Sequence, residues 1–175
     1  FGIWFHVADQ SFLSLVSLCF CGALLAFLIF NWQPSRIFMG DTGALTIGLI
    51  LSFMAIRFIN INFELPADHP AKFSASISTA ICVLIIPVFD TLRVIIVRLI
   101  KFQSPFHADR NHIHHRFLGI GMNHGNAVKW IVAINVGFIG LAVALKNQSD
   151  LILLPLIGLT CLLINFALHR MQRKS

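Results

Sequence analysis

Residues 11–30 read SFLSLVSLCFCGALLAFLIF, twenty consecutive positions without a charged side chain. At 1.5 Å per residue, a helix of that length crosses the roughly 30 Å hydrocarbon core of a bilayer. Further apolar runs follow at 43–59, 74–100, 127–145 and 151–169. In the second, Arg57 stands where its stem can snorkel to the interface. The third passes through Pro87 into a more polar segment, and the fifth carries Pro155 in its first turns. The fold class expected is all-α: a polytopic membrane helical bundle of about five transmembrane helices, with loops at 31–42 and 101–126.

Composition excludes the other classes. The chain has 175 residues, 57% hydrophobic and 11% charged, with seventeen phenylalanines and no tyrosine. Soluble domains carry roughly 25% charged residues, so this chain has too little polar surface to cover a soluble globule. Cys19, Cys21, Cys82 and Cys161 all lie in apolar runs and form no CxxC pair, which removes disulfide-scaffold, zinc and redox-motif readings. No signal peptide is visible, and the missing initial methionine leads us to expect the C-terminal portion of a longer protein.

Charge then orients the bundle. Arg36, Arg93, Arg98, Lys101, Arg110, Arg116, Lys129, Arg170, Arg173 and Lys174 flank one side, ten in all, against Arg57, Lys72 and Lys146 on the other. By the positive-inside rule the 31–42 loop, the His-rich 101–126 loop and the C-terminus are expected in the cytoplasm. The net charge of +6 is therefore a topology signal and not one for nucleic acid. Isolated polar residues such as Asn135 and Asn165 read as hydrogen-bond partners between helices.

Three clusters could carry chemistry. In Ile37-Phe38-Met39-Gly40-Asp41-Thr42-Gly43, a carboxylate stands between two glycines at a helix entrance. It fits a hard oxygen ligand for a cation that approaches the backbone closely, and equally a helix N-cap. The segment DTLRVIIVRLI (90–100) puts Asp90, Arg93 and Val97 on one helical face, with Leu92, Ile95, Ile96 and Leu99 opposite. Asp90 and Arg93 stand at i,i+3 and can pair. The third cluster, SPFHADRNHIHHR (104–116), holds His112, His114 and His115 within four positions. It lacks a partner at familiar zinc spacing, and with Arg110 and Arg116 it suits phosphate oxygens and proton transfer near neutral pH. A solvated basic loop is the plainer alternative.

FMGDTG, then PVFDTLRVIIVRL, then SPFHADRNHIHH, in this order between apolar helices, resembles the polyprenyl-phosphate N-acetylhexosamine-1-phosphate transferase family (glycosyltransferase family 4) over roughly 31–125. The resemblance implies that Asp41 is a site for Mg2+, with Mn2+ as the alternative, and that Phe38 lies near the uracil of a nucleotide sugar, beside Gly40 and Gly43. It implies that Asp109, His112, His114 and His115 contact the phosphates, that Arg98, Arg93 and Arg110 counter their charge, and that Asp90 orients Arg93. The HxHH form resembles the N-acetylglucosamine branch more than the muramoyl-pentapeptide branch.

Two departures stand out. Ala44 replaces a frequent serine, and the family's aspartate pair and its asparagine-rich segment are absent from these 175 residues, whose six aspartates include no adjacent two. The implied reaction is attack of polyprenyl phosphate on the β-phosphate of a UDP-N-acetylhexosamine. It yields a lipid diphospho-sugar and UMP for cell-wall or lipopolysaccharide biosynthesis. The implied setting is the plasma (inner) membrane, with the active face cytoplasmic and a homodimer as a further expectation. This chain alone is expected to be inactive. The competing readings are a catalytically inactive paralogue and a transporter fragment, the latter calling for paired broken helices.

Overall fold

A computed structural model describes residues 1–32, 34–104 and 112–172. Among the described residues every regular element is an α-helix: α1 Gly2–Val7, α2 Ser11–Asn31, α3 Gly40–Glu64, α4 Ser76–Val83, α5 Ile85–Ile100, α6 Ile113–Gly119, α7 His124–Ala144 and α8 Asp150–Gln172. Helices α2, α3, α7 and α8 are long and apolar enough to cross a membrane, and the bent pair α4–α5 makes a fifth span if counted as one. Large apolar side chains such as Phe12, Leu49, Val136 and Leu162 stand exposed along these spans. Helices apolar on every side are solvated by lipid, not by water. The chain divides into two compact units, Phe1–Ser76 and Ile77–Ser175.

In the first unit, α1 packs on α2 with Phe5 fully buried. The Trp4 indole stands edge-on to Phe58, ring centroids 4.5 Å apart, and its Nε1 donates to the Ala71 carbonyl at 2.7 Å. The far end of α3 leaves carbonyls without intrahelical partners. Lys72 Nζ donates to three carbonyls there, those of Asn62 (2.5 Å), Phe63 (3.2 Å) and Leu65 (2.8 Å). A cation is favoured at that negative helix end. The expected start of this helix was Gly43, but α3 begins at Gly40, whose φ of +66° is a conformation glycine adopts without penalty.

The second unit contains the break. The third apolar run forms two helices bent by 84° about Leu84. Pro87 is the physical reason, because it lacks the N–H that would donate to the Val83 carbonyl one turn earlier. Asn135 Nδ2 on α7 donates to that carbonyl at 3.4 Å, supplying from another helix the bond the proline cannot make. The start of α4 is held likewise: Asp150, first residue of α8, accepts from the Ser78 N–H (2.7 Å) and Ser78 Oγ (2.5 Å). Helix α6 lies within the expected 101–126 loop and packs Ile113 and Phe117 against Ala127 and Leu168. Burying two such side chains contributes about 1.5–3 kcal/mol each, enough to seat a seven-residue helix that could not stand alone. One bent pair is found among the described residues, where the transporter reading calls for two.

Candidate functional site

Helix α5 is an inverted amphipath. Leu92, Ile96, Leu99 and Ile100 are exposed, whereas Asp90, Val94 and Arg98 are buried. Burying a carboxylate is costly unless its oxygens are satisfied. Asp90 meets that condition with three donors. Its Oδ1 accepts from Arg93 Nη2 at 3.1 Å and from the Ile113 backbone N–H at 2.9 Å, and its Oδ2 lies 2.9 Å from His112 Nδ1. The Arg93 bond is the i,i+3 pair anticipated from spacing, while the other two tie α5 to the first turn of α6.

This arrangement fixes the His112 imidazole. An ionised carboxylate only accepts, so Nδ1 carries the proton and Nε2 is turned away from Asp90. The His112 side chain is about half exposed (52%), against 12% for Asp90. One ring nitrogen is thus held and the other makes no hydrogen bond among the described residues, the geometry of a histidine positioned for hydrogen bonding or proton transfer.

The remaining histidines divide. His115 is exposed, its ring 5.8 Å from that of His114. His114 Nε2 lies 3.1 Å from Nδ1 of His124, the first residue of α7. Burial, then the neighbouring His124 and His115, hold the His114 imidazole below its ordinary value. Arg116 donates Nη1 to Asn165 Oδ1, Nη2 to the Asn165 carbonyl (3.4 Å) and Nε to Gln172 Oε1 (3.3 Å), which secures α6 to α8. Burial, and after it the Arg93 charge, lower the Arg116 guanidinium from its ordinary value, with Asp90 opposing. His124 and Gln172 had no assigned role in the sequence, because both act across helices far apart in the chain. Asp109 and Arg110 lie outside the described residues.

The Asp41 cluster belongs to the first unit. Asn31 Nδ2 donates to the Ile37 carbonyl at 2.9 Å, and Ser35 Oγ donates to it at 3.0 Å, fixing the turn that precedes α3. Phe38 is 91% exposed. Met39 occupies the cap position, so Asp41 lies in the first turn of α3, exposed and without a hydrogen bond or ion pair among the described residues. A Cβ on Gly43 would come within 2.6 Å of Met39 Cγ, so the second glycine admits the Met39 side chain. No group of three His, Cys, Asp or Glu side chains able to hold a metal occurs among the described residues. Magnesium needs no such cage, because it keeps several waters and takes one or two carboxylates plus phosphate oxygens. The exposed, unpaired Asp41 carboxylate fits that requirement as one ligand.

The family model described as "Glycosyl transferase family 4" matches residues 1–59. The chain is 34% identical over 134 residues to a probable undecaprenyl-phosphate N-acetylglucosaminyl 1-phosphate transferase of Bacillus subtilis, covering 77% of this chain and 35% of the relative. It is 36% identical over 134 residues to a decaprenyl-phosphate N-acetylglucosaminephosphotransferase of Mycolicibacterium smegmatis, covering 75% and 32%. A phospho-N-acetylmuramoyl-pentapeptide-transferase of Wolinella succinogenes is 43% identical over 54 residues, 31% of this chain and 15% of that protein. The chain therefore spans about a third of the length of the curated relatives it matches over most of its own. No solved structure matches it.

Proposed function

The chain belongs to glycosyl transferase family 4, and on that premise we propose that the protein transfers N-acetylglucosamine 1-phosphate from a UDP-sugar to polyprenyl phosphate at the plasma membrane. It is an integral membrane protein, and its positively flanked side is read as the cytoplasmic, active face. The observation that carries the reading is the Asp90 carboxylate, which aligns a half-exposed His112 and a mostly buried Arg93.

In the proposed reaction an oxygen of the lipid phosphate attacks the β-phosphorus of the nucleotide sugar. The bond from that phosphorus to the oxygen bridging the two phosphates breaks, and its electron pair leaves on UMP. Phosphoryl transfer of this kind asks the protein for in-line positioning and for charge at the phosphate oxygens. In the second unit, Arg93 and Arg98 supply positive charge, and His112 Nε2 hydrogen-bonds a phosphate oxygen or gives a proton to the leaving group. His114 and His115, with Asp109 and Arg110 of the preceding segment, complete the phosphate contacts that the family resemblance implies. In the first unit, Asp41 would hold Mg2+, or Mn2+ in its place, and the exposed Phe38 would stack on uracil, with Gly40 leaving the backbone open to approach, whereas the space over Gly43 is taken by Met39. The metal supplies charge neutralisation on phosphate oxygens. The product would serve a cell-envelope polysaccharide.

The test is transfer of labelled sugar phosphate by the full-length protein in vesicles that contain polyprenyl phosphate. The reading expects lipid-linked label from UDP-N-acetylglucosamine and far less from UDP-N-acetylmuramoyl-pentapeptide. Equal labelling from both donors, or from neither, would reject it.

A further inference from the structure

His112 and His114 stand close together at the start of α6, and they are anchored by opposite ring nitrogens. His112 is held at Nδ1, 2.9 Å from the Asp90 carboxylate of α5. His114 is held at Nε2, which lies 3.1 Å from Nδ1 of His124, the first residue of α7. The rings of His114 and His124 are inclined by 32° with centroids 5.2 Å apart, so they meet through these nitrogens and not face to face. Nδ1 of His114 makes no hydrogen bond among the described residues.

The frame under this pair is firm. Asn123 caps α7, its Oδ1 accepting from the Asn126 N–H at 2.8 Å. Ala127, one turn on and fully buried, packs with Ile113 and Phe117 of α6. The apolar contact that joins the two helices therefore also sets the distance between the imidazoles. His124 is exposed and His114 half-buried, so their bond is not needed to fill the core.

A neutral imidazole has one N–H and one lone pair, and the partner of one nitrogen decides what the other can do. Burial, with His124 and His115 after it, favours the neutral form of His114 in the free protein. With the proton on Nε2, the ordinary tautomer, His114 donates to His124 Nδ1, and His124 keeps the ordinary tautomer as well. Nδ1 of His114 then carries the lone pair. A phosphate oxygen arriving at that nitrogen favours the imidazolium, which donates from both nitrogens, once to His124 and once to the phosphate.

We propose that His124 is a positioning residue of the transferase site: its Nδ1 accepts the Nε2–H of His114 and holds that ring with its own Nδ1 presented to a phosphate oxygen of the nucleotide sugar. The inference rests on the transferase reading, in which His114 is a phosphate contact. His124 acts only through His114 and does not touch the substrate. Two histidines of α6 are thus aligned from two sides, His112 by a carboxylate of α5 and His114 by an imidazole of α7.

The experiment compares His124→Ala with His124→Asn in the full-length protein, in vesicles that contain polyprenyl phosphate and receive UDP-N-acetylglucosamine. The asparagine side-chain oxygen stands near the place of Nδ1 and can accept the same bond. His124→Ala should lower kcat/KM about tenfold, the scale on which metal-bound histidines suffer when an orienting partner is lost. His124→Asn should recover most of that loss, which a merely space-filling role would not allow. NMR of the ring nitrogens in histidine-labelled protein reads the pair without turnover. The His114 signals, identified by their absence in His114→Gln, should report a hydrogen-bonded Nε2–H in wild type and mixed tautomers in His124→Ala. Wild-type turnover in His124→Ala, an asparagine variant no better than the alanine one, or His114 signals unchanged by His124→Ala would each overturn the inference. A wild-type protein without turnover would reject the transferase reading and the phosphate contact with it, whereas the ring signals judge the His114–His124 pair by themselves.

Discussion

Asp41 and Asp90 are both acids at the edge of an apolar run, yet the protein treats them in opposite ways. Asp41 is exposed in the first turn of α3 and makes no hydrogen bond among the described residues. Asp90 is buried and accepts from Arg93, Ile113 and His112. An unsatisfied carboxylate near a membrane edge contributes little to the fold and is available to a ligand. A carboxylate surrounded by three donors is already committed, and it acts through the groups it holds. On the proposed reading, Asp41 is the ligand-binding acid and Asp90 the positioning acid.

The largest expected effect follows from removing the uncommitted acid. Asp41→Asn should lower transferase activity by about 10²–10³-fold, the usual loss when an electrostatic contact to a reacting group is removed. Its thermal unfolding should stay near wild type, because surface changes are usually within about 0.5 kcal/mol. A large drop in Tm for this variant would break the contrast. Asp90→Ala should instead lower both. It removes the acceptor of the Ile113 N–H and of Arg93, at about 1–3 kcal/mol for each group left unsatisfied, and it frees His112. Circular dichroism melts beside activity assays would check this, and Asp90→Asn, which keeps one carbonyl oxygen, should fall between.

A smaller effect concerns pH. His114 is held below its ordinary value of 6.5, so the folded protein binds fewer protons there than the unfolded chain. Stability then rises with pH across this window, and the contribution is lost as pH falls from about 7 toward about 5. Tm measured over that interval should decline more steeply for wild type than for His114→Gln. Parallel slopes would remove the His114–His124 contact from the account. The smallest effect is at the helix break. Asn135→Leu deletes the donor to the Val83 carbonyl and should cost about 1 kcal/mol, with little change in activity, by the same melts.

Much of this fold was legible because lipid demands long uncharged helices, and 11–30 or 151–169 admit few other readings. The 84° bend was less legible: Pro87 marks a missing donor, but whether another helix supplies a replacement depends on Asn135, 52 residues beyond the Val83 carbonyl. Within the candidate site, the Asp90–Arg93 pair followed from helical spacing. The bonds from Asp90 to His112 and to the Ile113 N–H did not, because they require the chain to return after α5 and present the first turn of α6. Asp41 illustrates a local ambiguity. A helix beginning at Thr42 would make it a cap, whereas α3 begins at Gly40 and leaves it exposed in the first turn.

The most direct measurement is UDP-sugar-dependent release of UMP by the full-length protein, comparing wild type with Asp41→Asn and His112→Ala at matched amounts of folded protein. The account predicts that both variants lose most of their turnover while remaining folded. Undiminished turnover in both would contradict it.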